Sequence, residues 1–268
     1  MIQRERLSVA ITAAQRGGEV VRRYFGELRP GDIDEKGVND WVSEADRASE
    51  AVIQSYLRTA TPELGILAEE SGASGATGAR WVVDPLDGTT NFVRRFPHFA
   101  VSVALVVDGA VEVGAVYDPM RDEMFAASRG GGATRNGASI RVTGRDGLAG
   151  GLLTTGFPFR VHRFLDVYLE LFRDVFLNTG AIRRPGAAAL DLAHTAAGIF
   201  DGFFEFSLSP WDLAAGILLV VEAGGRVTNL DGGDDVFAHG NVVAASPAVH
   251  RDLLAVVRRH ASEALIAP

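Results

Sequence analysis

A chain of 268 residues, 47% of them apolar, is long enough for one large domain or two packed halves. Its net charge of −8 and its arginines, scattered as pairs (Arg22-Arg23, Arg94-Arg95, Arg183-Arg184, Arg258-Arg259), leave no basic tract for an extended nucleic-acid surface, and the absence of cysteine excludes disulfides, thiolate metal sites and thiol nucleophiles. No stretch approaches the ~20 apolar residues of a membrane span, and residues 1–25 lack an apolar signal core, so a cytoplasmic location is expected.

In chain order, Leu7, Ala10, Ile11, Ala14, Val21 and Phe25 recur at helical spacing and predict an amphipathic helix over residues 3–25. Residues 27–42 are polar and broken by Pro30, Gly31 and Gly37, a composition that suits a mobile flap. This flap holds Lys36, the only lysine in the chain against 25 arginines, which suggests a need for a compact ammonium there. Ser43 then caps a helix to about Thr59, with Asp46 at its third position, where an acid also complements the helix terminus. A short strand from Leu64 ends in Glu69-Glu70.

The centre of the sequence is Trp81-Val82-Val83-Asp84-Pro85-Leu86-Asp87-Gly88-Thr89-Thr90-Asn91-Phe92. The apolar run predicts a buried strand that stops at Asp84, because the proline after it has no N–H for a ladder. Asp87-Gly88 begins a tight turn, and the glycine permits a close backbone approach. Two carboxylates, the Leu86 carbonyl and the hydroxyls of Thr89 and Thr90 form an all-oxygen set that suits Mg²⁺ or Mn²⁺ rather than zinc. Taken alone, the pattern also describes a solvated turn. Adjacent strand ends would bring Glu69 or Glu70 beside Asp84, and crowded carboxylates call for a cation.

Asp108-Gly109 and Asn136-Gly137 are hairpin turns in a meander of strands (99–107, 111–117, 124–127). The glycine-rich passage 144–151 suggests a division into an N-terminal half, 1–150, and a C-terminal half, 151–268. The second half predicts a strand at 152–155, helices at 162–176 and 186–200, a strand at 202–206 and a helix capped by Ser209 that runs to about Ala223 with Asp212 in its first turn. The helix from Gly186 has a bare N-terminus that can meet an anion. Glu205 stands among phenylalanines, where it either faces solvent by alternation or reads substrate hydroxyls. The closing helix covers 248–260.

Ala68-Glu69-Glu70-Ser71, Asp84 through Phe92, and Trp211-Asp212-Leu213-Ala214-Ala215-Gly216 together resemble the inositol monophosphatase family of Mg²⁺-dependent, lithium-sensitive phosphatases, in type and order over nearly the whole chain. The resemblance implies an α/β layered αβαβα sandwich and a homodimer. It also implies two to three Mg²⁺ ions: one on Glu69, Asp84 and the Leu86 carbonyl, a second on Asp84, Asp87 and Asp212, and a weaker third on Glu69 and water. It assigns Thr89, oriented by Asp46, to the attacking water. Lys36 falls in the flap that helps hold the third ion, the N–H groups of Gly88, Thr89 and Ala188 meet phosphate, and Glu205 meets a sugar or inositol hydroxyl. The substrate it implies is a small phosphate monoester, inositol monophosphate first, with histidinol phosphate, fructose 1,6-bisphosphate and 3′-phosphoadenosine 5′-phosphate as alternatives. Some bacterial relatives also bind the transcription machinery. The sequence departs from the family pattern at Ala68, where glycine is common, at Ser43, where threonine is common, and at Trp41, where a smaller aliphatic is usual and whose bulk bears on how the flap packs.

Overall fold

The computed structural model describes residues 2–37, 40–157 and 164–260. Its first helix, α1 (Ile2–Tyr24), leads into an antiparallel ribbon of β1 (Ile33–Gly37) and β2 (Asp40–Ser43). The expected flap is thus a paired strand unit; its residues 38 and 39 lie outside the described residues. At α2 (Glu44–Ala60), Ser43 accepts from the Ala45 N–H, and Asp46 accepts from the Ser43 N–H and hydroxyl at 2.8 and 2.5 Å. The capping read from the sequence is therefore present.

The next strands are β3 (Gly65–Ala68), β4 (Gly72–Ser74) and β5 (Ala79–Asp87). A five-residue helix, α3 (Thr89–Val93), precedes the meander of β6 (Ala100–Val107), β7 (Ala110–Asp118), β8 (Glu123–Ser128), β9 (Gly132–Arg135) and β10 (Ala138–Ser139). These form one sheet in the order β10-β9-β8-β7-β6-β5-β3-β4. Asp108 and Gly109 have φ of 48° and 81°, and Asn136 and Gly137 have 49° and 79°, the left-handed pairs that two-residue hairpins need.

In the second half, β11 (Leu152–Thr155), α4 (Leu165–Asn178), β12 (Ala181–Arg183), α5 (Ala188–Ala196), β13 (Gly202–Glu205), α6 (Pro210–Glu222), β14 (Arg226–Thr228), β15 (Val242–Ala245) and α7 (Pro247–His260) follow. The first two residues of the helix expected at 162–176 lie outside the described residues. The five strands pair in the order β12-β11-β13-β15-β14. Three apolar cores separate five layers. Residues of α1 and α2 pack on one face of the eight-stranded sheet. Helices α5 and α6 fill the space between the two sheets, and α4 and α7 cover the outer face of the second. The fold is the expected αβαβα sandwich.

Two of the expected elements differ in ways that bear on the site. β5 does not stop at Asp84 but runs on through Pro85 to Asp87. The β5–β6 register is interrupted between Asp84, opposite Ser102, and Asp87, opposite Ala100, so the proline sits where the ladder asks for no donor. Helix α5 is shorter at both ends, because Gly186 (φ 90°) and Gly198 (φ 71°) adopt left-handed conformations that a continuing helix cannot contain.

Candidate active site

The interruption in β5 decides where its acids point. Regular alternation would send side chains three residues apart to opposite faces of the sheet. Here β5 advances three residues while β6 advances two, and Asp84 and Asp87 come to lie on the same face. Asp212, in the first turn of α6, meets them there, and the ligand oxygens of the three carboxylates lie within 4.8 Å of one another. All three are buried. Burial first, then repulsion from Glu69, Asp87 and Asp212, pushes the Asp84 carboxyl well above its ordinary range. Asp87 is raised by burial and Asp212, against a bond of 2.8 Å from the Ala189 N–H at the start of α5. The bare helix terminus read from the sequence is thus met by the protein's own Asp87 carboxyl.

Parallel pairing of β3 with β5 sets Ala68 opposite Val83, and the Glu69 N–H extends it to the Val83 carbonyl at 3.2 Å. Glu69 therefore emerges beside Asp84, as expected from adjacent strand ends. It stands outside the 4.8 Å triple, and its Oε1 is 3.3 Å from Lys36 Nζ, which also binds Glu70 at 2.5 Å. Burial, opposed by Lys36 and reinforced by Asp212 and Asp46, pushes Glu69 up to about 7.

Gly88 has φ of 93°, and a Cβ there would come within 3.1 Å of the His98 carbonyl, so the close approach expected of it is real. The next residue, Thr89, reaches Asp46 Oδ1 at 2.9 Å and the Leu86 carbonyl at 3.1 Å. Burial, partly offset by hydrogen bonds from Ser43 and Thr89, raises Asp46 to about 6.

Glu69, Asp84, Leu86, Asp87, Gly88, Thr89, Ala188, Glu205 and Asp212 all line one cavity of about 380 Å³. Asp46 lies behind Thr89, and Lys36 borders the adjacent groove along α2. Glu205 does not face bulk solvent: it is 8% exposed, raised well above the usual range by burial and then by Asp191 and Asp212, and seated so close to Gly156 that a Cβ on that glycine would overlap it. Alternation failed as a guide because β13 is central in its sheet, with both faces covered.

The profile of the inositol monophosphatase family matches residues 2–263. The chain belongs to that family. Nus factor SuhB of Salmonella typhimurium strain LT2 is 46% identical over 261 residues, 97% of this chain and 98% of its own, and Nus factor SuhB of Escherichia coli strain K12 is 45% identical over the same shares. Among solved structures, the extragenic suppressor protein suhB of Bartonella henselae superposes with a TM-score of 0.91 at 42% identity, over 94% of this chain and 98% of that one. An inositol monophosphatase from Anabaena superposes at 0.84 with 37% identity, over 97% of each.

Inositol monophosphatase family membership makes a phosphatase of the chain, and the buried all-oxygen triple, crowded by its own charges, fits a hard divalent cation. Sequence reasoning missed part of the cavity wall: Arg94, Phe157, Arg184, Phe206, Ser207 and Leu208 also line it. Arg184 lies over the Phe157 ring at 5.3 Å. The Arg183-Arg184 pair directly before the Gly186 turn was the available signal. Nothing local marked Phe157, which the fold brings in from beyond β11. No helix among the described residues is long and apolar enough to cross a membrane.

Proposed function

We propose that the protein is a Mg²⁺-dependent phosphomonoesterase that hydrolyses inositol monophosphate to inositol and phosphate. The observation that carries this reading is the convergence of Asp84, Asp87 and Asp212 on one side of a cavity with the Asp46-linked hydroxyl of Thr89 on its wall. In this reading Glu69, Asp84 and the Leu86 carbonyl hold one ion, Asp84, Asp87 and Asp212 a second, and Glu69 with water a weaker third, with Mn²⁺ as a substitute. Bound divalent cations supply neutralisation of the phosphate oxygens, acidification of water and stabilisation of the leaving alkoxide.

The chain's own groups do the rest. Thr89 has one hydroxyl proton and two acceptors in reach; the carboxylate of Asp46 is the stronger, so the proton lies toward it. The free lone pair on Thr89 Oγ1 then accepts a proton from the water that attacks phosphorus, and Asp46, at about 6, is poised to take the relayed proton near neutral pH. Backbone N–H groups at Gly88, Thr89 and Ala188 hold the phosphate oxygens. Glu205 accepts from hydroxyls of the alcohol.

A panel of phosphate esters assayed with Mg²⁺, with histidinol phosphate, fructose 1,6-bisphosphate and 3′-phosphoadenosine 5′-phosphate beside inositol monophosphate, tests the assignment. Fastest specific turnover of inositol monophosphate is expected; an equal rate on every ester would remove the substrate assignment, and no turnover would remove the activity. In the same reading the protein is a cytoplasmic homodimer. Its division at residues 150 and 151 is supported by the eight-stranded sheet drawing only on residues 65–139 and the five-stranded one only on 152–245. A second reading, contact with the transcription machinery in addition to catalysis, is favoured by relatives named Nus factor SuhB at up to 46% identity.

A further inference from the structure

Helix α2 presents Asp46, Glu50, Gln54 and Arg58 at intervals of four, one stripe along a single face, and the first three are buried. A carboxylate buried at Glu50 is unexpected so near other acids, since Glu70 lies close enough to interact with it electrostatically. Its contacts explain it. Glu50 Oε2 accepts from the Glu70 N–H at 2.9 Å and Oε1 accepts from Gln54 Nε2 at 3.0 Å. Gln54 Nε2 also donates to Ser71 Oγ at 2.6 Å, and Arg58 fixes the other end of that amide by donating to Gln54 Oε1 at 2.7 Å.

Two of these bonds end on one short loop, and the other two hold in place the groups that make them. Ala68 of β3 pairs with Gly72 of β4, so Glu69, Glu70 and Ser71 make the entire connection between the two strands. The loop is held on one side by the Glu69 N–H to Val83 and on the other by Glu50 and Gln54. A three-residue loop pinned at successive positions has little freedom to rotate, and the direction of the Glu69 side chain follows from that setting. The same helix, one turn earlier, holds Thr89 through Asp46.

We infer that Glu50 is a positioning residue: through the Glu70 amide and Gln54 it sets the 69–71 loop so that Glu69 is aimed at the cation site, and α2 thereby fixes Glu69 and Thr89 with one rigid body. The inference rests on the reading of Glu69 as a cation ligand. Outer groups that orient metal ligands are worth roughly 10- to 100-fold in metal affinity.

The test is calorimetric titration of the full chain with Mg²⁺, together with thermal unfolding in chelator. E50A should weaken Mg²⁺ binding about 10- to 100-fold. E50Q, which keeps an oxygen acceptor for the Glu70 N–H but turns an NH₂ toward Gln54 Nε2, should fall between wild type and E50A. I53V, a core change on the same helix, should lower Tm without moving Mg²⁺ affinity. A folded E50A that binds Mg²⁺ as wild type does would overturn the inference. So would E50Q as weak as E50A, since the acceptor kept for the Glu70 N–H would then contribute nothing. If E50A does not fold, Gln54→Ala carries the test, with weaker Mg²⁺ binding expected and unchanged binding overturning it. Wild-type protein that takes up no Mg²⁺ would instead overturn the metal reading and this inference with it.

Discussion

Thr89 Oγ1 lies 2.9 Å from Asp46 Oδ1, a contact between residues 43 positions apart that joins the start of α3 to the first turn of α2. A threonine at a helix start ordinarily serves that helix; this one is turned toward a second helix's capping acid. Thr89→Val keeps the shape and removes the hydroxyl. We expect kcat to fall by about 10²- to 10⁴-fold, the range for a lost proton-transfer group, with Mg²⁺ affinity by calorimetry little changed. Loss of Mg²⁺ binding in step with kcat would show that Thr89 supports the cation site instead.

Asp84→Asn removes one charge from the crowded triple. Turnover should collapse by orders of magnitude, while Tm in chelator should hold or rise, because mutual repulsion is relieved. Near-normal phosphate release by the variant would sink the metal assignment.

The rate should rise and then fall as Mg²⁺ is increased, with inhibition by Li⁺ and by Ca²⁺. Under the proposed function, Asp84, Asp87, Asp212 and Glu69 would hold ions of unequal affinity, and excess metal would slow release of phosphate; calcium prefers more ligands at longer distances. Full-rate hydrolysis after treatment with chelator would contradict the mechanism.

Glu205→Gln should cut kcat/KM for inositol monophosphate by about 10- to 150-fold, the value of roughly 1.5–3 kcal/mol for a charge-assisted bond. An aryl phosphate, which offers no hydroxyl, should barely respond. Equal losses on both would assign Glu205 to the fold or the metal site, a real contrast because the side chain is buried against Gly156.

Protons and cations should compete. In metal-free protein Glu69 is raised from 4.5 to about 7 and Asp46 from 3.8 to about 6, so between those limits the native state binds more protons than the unfolded one. That contribution to stability grows as pH falls below 7 and is lost as pH rises through it. His194 and His250 act oppositely: burial lowers both from 6.5 to about 4, so their contribution is present above 6.5 and is lost as pH falls toward 4. A bound cation needs the carboxylates ionised. The gain in Tm on adding Mg²⁺ should therefore be large at pH 8 and shrink below pH 7; a gain constant from pH 5 to 8 would contradict this.

Much of the site was legible because its residues announce themselves locally. Ser43 and Asp46 form a capping pattern, Asp87-Gly88 a turn, and Ser209, Pro210 and Asp212 a helix start, and each occurs where it was read. Convergence was less legible. Lys36 could be singled out by composition, yet its partnership with Glu69 and Glu70 depends on how the ribbon folds over. Nothing local singled out Glu50, since its partner is a backbone N–H in a loop 20 residues on, and a backbone amide has no signature in sequence. Glu205 was ambiguous for a similar reason: strand alternation is informative only where one face meets water.

The extra residue in β5 between Asp84 and Asp87 makes the site a matter of counting as well as chemistry. Deleting Leu86 would remove no carboxylate, yet it would restore an even ladder against Ser102 and Ala100 with Pro85, which has no N–H, inside it; the two aspartates would stay on one face but two positions apart instead of three, and the carbonyl that Thr89 meets would be gone. The chain should thus tolerate exchange of Leu86 for another aliphatic far better than loss of any one residue from 84 to 87. Across homologous sequences, gaps should be excluded from this stretch more strictly than substitutions.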